Sequence, residues 1–383
     1  MRNLGLDLLR LLAVVLVLGR HLNLPKNPSP LLMAWNRGGW VGVDLFFVLS
    51  GFLISGLLFT EYRRFGKLNI PRFLIRRAFK IYPAFWIMIA FTLFIIIAHG
   101  GPIPRIRLAG EMLFLQNYIG SLWIHTWSLA IEEHFYLGLA LLFAVYLKAE
   151  SRNDFDFIPR TFAVLAFCCL VLRISNLWLF PTYSHQIYQS GSHIRVDSLF
   201  FGVLLSYYAH HHNLYLKIRD ISSALLVACG IALLSPAFFF ASEEYKWISV
   251  FGVMLFYLGS GLLVLAAVRL DQSRFGVLRF MGTLGGTSYS IYLWHMPFNV
   301  WARGFISSLS GSDSYTQYLF VYLIGAPALG YIMSKLIEWP IIRLRDRLFP
   351  SRSESRKSEP GTASNFSLAN PSVATHPGIR YFE

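Results

Sequence analysis

The chain reads as all-α: a polytopic membrane protein of about ten transmembrane helices with both termini cytoplasmic. Three observations support this. Hydrophobic residues make up 55% of the 383 and charged ones 14%, too little polar material to clothe so much apolar chain in water. Apolar runs repeatedly reach the length of about 20 residues that spans hydrocarbon. Lys and Arg gather in the short segments between those runs, which explains the net charge of +14 by topology and gives nucleic acid no part as a partner.

The runs fall near residues 5–24, 40–60, 81–99, 126–147, 161–180, 195–212, 221–240, 247–268, 279–303 and 317–339. The first is expected to stay as an anchor, because it carries Asp7, Arg10 and His21 and no small-residue cleavage site follows it. After the second, Arg63, Arg64, Lys67, Arg72, Arg76, Arg77 and Lys80 mark a cytoplasmic loop, and alternation from there puts the more basic loops inside. The ninth, GGTSYSIYLWHMPF, is expected to be broken or re-entrant, since Gly, Ser and Pro interrupt it. Residues 1–345 then form one membrane domain, and 346–383, Ser-, Pro- and Asn-rich, a disordered cytoplasmic tail. Cys168, Cys169 and Cys229 sit in apolar runs without disulfide or metal-ligand spacing. No metal is expected. The run His210–His212 reads as interfacial.

Ionisable groups at membrane depth are costly, roughly 2.5–3.5 kcal/mol for a charge at mid-span, so they tend to line polar cavities. Arg10 and His21 lie eleven residues apart, three helical turns plus roughly 20°, which places them on one face about 16 Å apart along the axis. Asp44 opens the second span at a depth similar to His21. A carboxylate on one imidazole nitrogen would leave the other free as a general base, although a self-satisfied buried pair fits the spacing equally well. Arg76, Arg77 and Lys80 enter the third span within about one turn, and with Arg10 they would suit the phosphates of a cytosolic cofactor. Glu132, Glu133 and His134 lie in the fourth span, where Glu133 needs a partner. Arg195 and Asp197 begin the sixth; two residues apart, they point to different faces, so each is expected to find another helix. His295 precedes Pro297, where it would bind substrate or cap a helix break. A secondary transporter is the rival from another class.

The order Asp7, Arg10, His21, then GVDLFFVLSGFLIS, FLIRRAFKIYP, TWSLAIEEHFYL, RVDSLFFG, GTSYSIYLWHMPF and IEWP resembles the membrane-bound acyltransferase-3 family across roughly residues 4–345. The resemblance implies transfer of an acyl group, commonly acetyl, from cytosolic acyl-CoA (acetyl-CoA) to a hydroxyl of a carbohydrate such as exopolysaccharide, lipopolysaccharide or a lipid-linked sugar. The reaction would take place at the outer face of the inner (cell) membrane, with a lipid or small metabolite as the alternative acceptor. It implies His21 as the essential histidine, Arg10 as its partner arginine, and Arg77 with Lys80 as a paired-basic motif in which Lys80 replaces the usual arginine. His134 stands where the family usually has glutamine. The chain resembles the stand-alone form, without a hydrolase-like domain. Together these readings assign catalysis to His21, Asp44 and Glu133, donor binding to Arg10, Arg76, Arg77 and Lys80, and acceptor binding to Arg195, Asp197 and His295. His21 would deprotonate the acceptor or carry the acyl group transiently.

Overall fold

The computed structural model describes residues 3–149, 155–270, 276–310 and 314–352. Helix α1 (Leu4–Arg20) starts where the Asn3 side chain accepts from the Leu6 N–H at 3.0 Å, and it stops at His21. Ser29 caps α2 (Pro30–Gly38), and α3 (Val41–Phe65) ends on Gly66, whose φ of +63° suits a residue without a Cβ. Asn69 caps α4 (Ile70–Ala98) by accepting from the Arg72 N–H. Short helices α5 (Arg105–Met112) and α6 (Gln116–Ile119) and a 3-10 turn, Ile124–Thr126, lead into α7 (Trp127–Ala149). There follow α8 (Phe157–Leu179), α9 (His185–Tyr188), α10 (Val196–His211), α11 (Leu214–Lys217), α12 (Ser223–Leu234) and α13 (Pro236–Phe239). A π-helical turn, Ile248–Gly252, opens α14 (Val253–Val268), and α15 (Gly276–Gly286), α16 (Ser288–Ser310) and α17 (Tyr315–Met333) follow. A second π-helical turn, Ser334–Glu338, joins α17 to α18 (Trp339–Leu348).

Among the described residues the fold is all-helical, and six segments are long and apolar enough to cross a membrane: Val41–Phe65, Ile70–Ala98, Ile124–Leu147, Phe157–Leu179, Ile248–Val268 and Tyr315–Leu348. Four further expected spans are helical but do not meet that measure. Helices α1 and α10 have 17 and 16 residues, Ser223–Phe239 is a shorter apolar segment, and the ninth span is divided between α15 and α16. Burial separates core from periphery: 78% of the apolar window in α3 is buried inside the protein but only 11% of that in α8. Residues such as Val164, Phe167 and Leu179 are therefore left outward, a surface that lipid covers without cost and water does not. The centre is α3 against α10, where Gly51 and Gly202 interlock. A Cβ on Gly51 would stand 1.9 Å from the Leu199 carbonyl oxygen, and one on Gly202 2.2 Å from that of Val48.

The ninth span departs from expectation in an instructive way. The interruption falls at Thr287, while α16 runs unbroken through Pro297, so His295 caps no break. Pro297 lacks the N–H that would serve the Leu293 carbonyl, and His125 Nε2 meets that oxygen instead at 3.2 Å. The 3-10 turn before α7 thus supplies the missing donor, which allows a proline inside a continuous apolar helix. Helix α18 extends beyond the expected domain boundary at 345. The carbonyls of Phe349 and Pro350 accept from Arg76 and Arg72, and Arg76 also pairs with Asp346 at 3.1 Å. Residues 353–383 of the expected tail lie outside the described residues.

Between α5 and α7, Glu111 is fully buried. It accepts from the Leu122 N–H (2.8 Å) and the Thr126 hydroxyl (2.9 Å), so it fixes the turn that carries His125. Burial pushes its carboxyl up to about 7, against the opposing pull of those hydrogen bonds. The folded form therefore holds a proton that the unfolded form releases near pH 4.5, and stability is lost as pH rises from there through about 7. Glu111→Gln keeps the acceptor oxygen and removes the charge. It should melt higher than the parent at pH 8 by up to about 3 kcal/mol and converge with it below pH 4.5; equal melting at both pH values would contradict this.

Candidate active site

A cavity of about 490 Å³ opens between α1, α3, α4, α7, α16 and α18. Its basic end holds Arg10, Arg77 and Lys80, the cluster expected from the sequence, together with Arg343 and Arg345 from α18, which sequence reasoning missed. Helix α18 is amphipathic and follows directly on the π-helical segment Ser334–Glu338. That segment aims Glu338 inward to accept from Lys80 (2.7 Å), Ser290 (2.8 Å) and Ser334 (3.1 Å). Arg10 pairs with Asp7 three residues earlier at 2.5 Å. Arg76, expected with this cluster, instead braces the segment after α18 and is not among the cavity-lining residues.

Midway, Ser50, Glu132 and Tyr136 form one hydrogen-bonded unit. Tyr136 donates to Glu132 Oε2 at 2.6 Å and lies 2.7 Å from the Ser50 hydroxyl. Of the two adjacent glutamates on α7, Glu132 is thus the one that reaches the cavity. Glu133, the expected catalytic member, points about 100° away around the helix and accepts from Tyr82 at 2.8 Å. His134 turns to Ser192, with 2.7 Å between Nδ1 and the hydroxyl, and stacks on Tyr118.

The far end of the cavity is closed by Ser128 and Tyr292, whose hydroxyls are 2.6 Å apart. Behind them stand three imidazoles. The Tyr292 ring lies 5.4 Å from His125 and 5.6 Å from His295; His125 and His295 are 4.8 Å apart, and His295 is 5.1 Å from His21. His21 is partly exposed just past the C-terminal end of α1, and its carbonyl is held by the Asn299 amide at 2.6 Å. His185, with Trp127 at 5.4 Å, flanks this end; burial, and then Arg20 and Arg195, push its imidazole down to about 4, so it is neutral at physiological pH. The structure thus brings His21 and His295 together, one aromatic ring beyond the cavity.

Asp44 is placed elsewhere. Its Oδ1 accepts from Arg195 at 2.7 Å with both side chains fully buried, and among the described residues it makes no hydrogen bond to His21. The guanidinium is enclosed by Trp40, Phe47 and Trp127, 5.7–6.0 Å from its carbon. Asp197 pairs with Arg173 at 2.7 Å, again fully buried. Arg195 and Asp197 each find another helix, as their spacing required, and both are committed to framework pairs rather than open to solvent. No local signal identifies Arg173 as a partner.

An acyltransferase domain family matches residues 3–335. Among curated relatives, the O-acetyltransferase OatA of Staphylococcus aureus (strain MRSA252) is 28% identical over 98% of this chain and 63% of its own length. The peptidoglycan O-acetyltransferase OatA of Listeria monocytogenes is 29% identical over 76% of this chain and 49% of its own. The chain therefore spans about half to two-thirds of the length of these relatives. No solved structure matches it.

Proposed function

The chain belongs to the membrane-bound acyltransferase-3 family, and from that premise we propose that it transfers an acyl group, acetyl first, from cytosolic acyl-CoA to a carbohydrate hydroxyl at the outer face of the inner membrane. The observation that carries this reading is the cavity itself. One end is lined by five Lys and Arg side chains, and the other stops one aromatic ring short of the His295–His21 pair. The basic end suits the phosphates of coenzyme A, for which arginine offers bidentate donors, and the aliphatic and aromatic walls suit the thioester-bearing arm. The Listeria relative, named as a peptidoglycan O-acetyltransferase, supports a glycan as the acceptor class. Ten spans with both termini cytoplasmic would set the basic end beside the Arg63–Lys80 loop, on the cytosolic side.

In this reading His21 is the general base. The acceptor oxygen attacks the thioester carbonyl carbon, its proton passes to His21, the carbon–sulfur bond breaks, and the proton returns to the coenzyme A thiolate. Arg10, Arg77 and Lys80, joined by Arg343 and Arg345, hold the donor. Arg76 positions α18, and Glu133 positions Tyr82 on α4. Asp44, Arg195, Asp197 and Arg173 form the frame behind the site, and His295 occupies the place beside His21 that Asp44 was expected to fill.

The test is turnover of labelled acetyl-CoA by the purified protein in detergent with cell-wall glycan as acceptor. Thioester loss matched by glycan ester supports an enzyme; solute uptake without thioester loss points to a carrier. Arg77→Ala should raise KM for the donor about tenfold or more and leave acceptor KM unchanged, as expected for one lost charge-assisted contact. An unchanged donor KM would take Arg77 out of the donor site.

A further inference from the structure

The three imidazoles differ in their bonding, and the difference carries chemical information. His295 Nδ1 lies 2.5 Å from the Tyr292 carbonyl and His125 Nε2 3.2 Å from the Leu293 carbonyl. A carbonyl only accepts, so each of these nitrogens bears the hydrogen, and the opposite nitrogen of each ring presents a lone pair. Those nitrogens, His295 Nε2 and His125 Nδ1, are buried and have no hydrogen-bond partner among the described residues. Both side chains are essentially inaccessible, at 0% and 1% exposure, and their rings are in contact. A buried polar atom without a partner costs free energy, so two side by side behind His21 call for a proton that visits them.

We propose that His295 and His125 form a proton reservoir for His21. When the acceptor O–H bond breaks, its proton reaches His21 and is shared with His295 Nε2 and then His125 Nδ1. It is held there until the carbon–sulfur bond has broken, and it returns by the same route to the thiolate, so no proton is gained or lost. The inference rests on the acyl-transfer reading and adds two positioning residues to it, one of which, His125, no sequence motif marked. The Tyr292 ring on α16 lies against His125 and His295, and the charged or titratable groups near enough to act on His21 are Arg20 on α1, itself paired with Glu243, and His185 on α9. Glu111 fixes the His125 turn through Thr126.

Two nearly isosteric substitutions separate this role from packing. His295→Asn retains a donor for the Tyr292 carbonyl, and His125→Gln one for that of Leu293; each removes the bare ring nitrogen. With purified full-length protein, labelled acetyl-CoA and cell-wall glycan, each should lower kcat about 100-fold with donor KM unchanged, within the range of a lost acid–base contribution. The acid limb of the pH–kcat profile, broad while three imidazoles share one proton, should sharpen in each variant. Variants with parental kcat and profile would overturn the inference while leaving the transfer reading standing, and a parent that consumes no thioester would overturn both. Nitrogen-15 spectra of histidine-labelled parent protein test the premise without substitution: a hydrogen on Nδ1 of His295 and on Nε2 of His125 is expected, and the opposite tautomers would contradict it.

Discussion

Replacing His21 by alanine lowers kcat about a thousandfold or more while the protein keeps its fold, an effect at the strong end of what a single general base contributes. The second half of that expectation comes from the structure. Among the described residues the His21 imidazole makes no hydrogen bond; its contact is with the His295 ring at 5.1 Å, and the backbone link from Asn299 to the His21 carbonyl survives the substitution. Size-exclusion and thermal-melting profiles should therefore match the parent while thioester consumption disappears. Near-parental turnover by the folded variant would remove His21 from the reaction, and loss of folding would mark it as a packing residue.

Asp44→Ala has the opposite signature. It leaves the fully buried guanidinium of Arg195 without its carboxylate, surrounded by Trp40, Phe47 and Trp127, and breaking one partner of such a pair costs about 3–5 kcal/mol. The variant should express poorly and melt far below the parent. The double substitution Asp44→Leu with Arg195→Met replaces both charges with apolar volume and should recover most of that loss, because the desolvation cost of both ions vanishes together. If Asp44→Ala instead folds normally and loses only transfer, the carboxylate acts on His21 and the framework assignment fails.

These two residues also show what a sequence conveys here and what it withholds. Regular spacing along one helix is local information, so the grouping of Arg77 with Lys80 was legible in the sequence. The need of Arg195 and Asp197 for separate partners was legible in the same way, from the angle between positions i and i+2. The identity of those partners was not, because Arg195 meets Asp44 across 151 positions and Arg173 could not be told from any other polar residue in an apolar run. Choosing between Glu132 and Glu133 failed for the same reason: either could face inward until the helix is docked. Pro297 misled because proline reports a missing N–H, not the means by which a neighbour makes it good, here a histidine 168 positions from the Leu293 carbonyl that it serves. Arg343 and Arg345 lie past the last expected span, where no pattern ties them to the other cations, and it is the docking of α18 that brings them to the cavity.

The central claim is that a thioester entering from the basic side gives up its acyl group to a hydroxyl on the other side, at His21. Sealed proteoliposomes made with the intact chain, labelled acetyl-CoA enclosed on the side of the Arg63–Lys80 loop and cell-wall glycan supplied on the opposite side test it most directly. The account predicts labelled ester on the glycan outside, free coenzyme A thiol retained inside in equal amount, and neither product with His21→Ala. Thiol release with no ester across the bilayer, or equal transfer with His21→Ala, would contradict it.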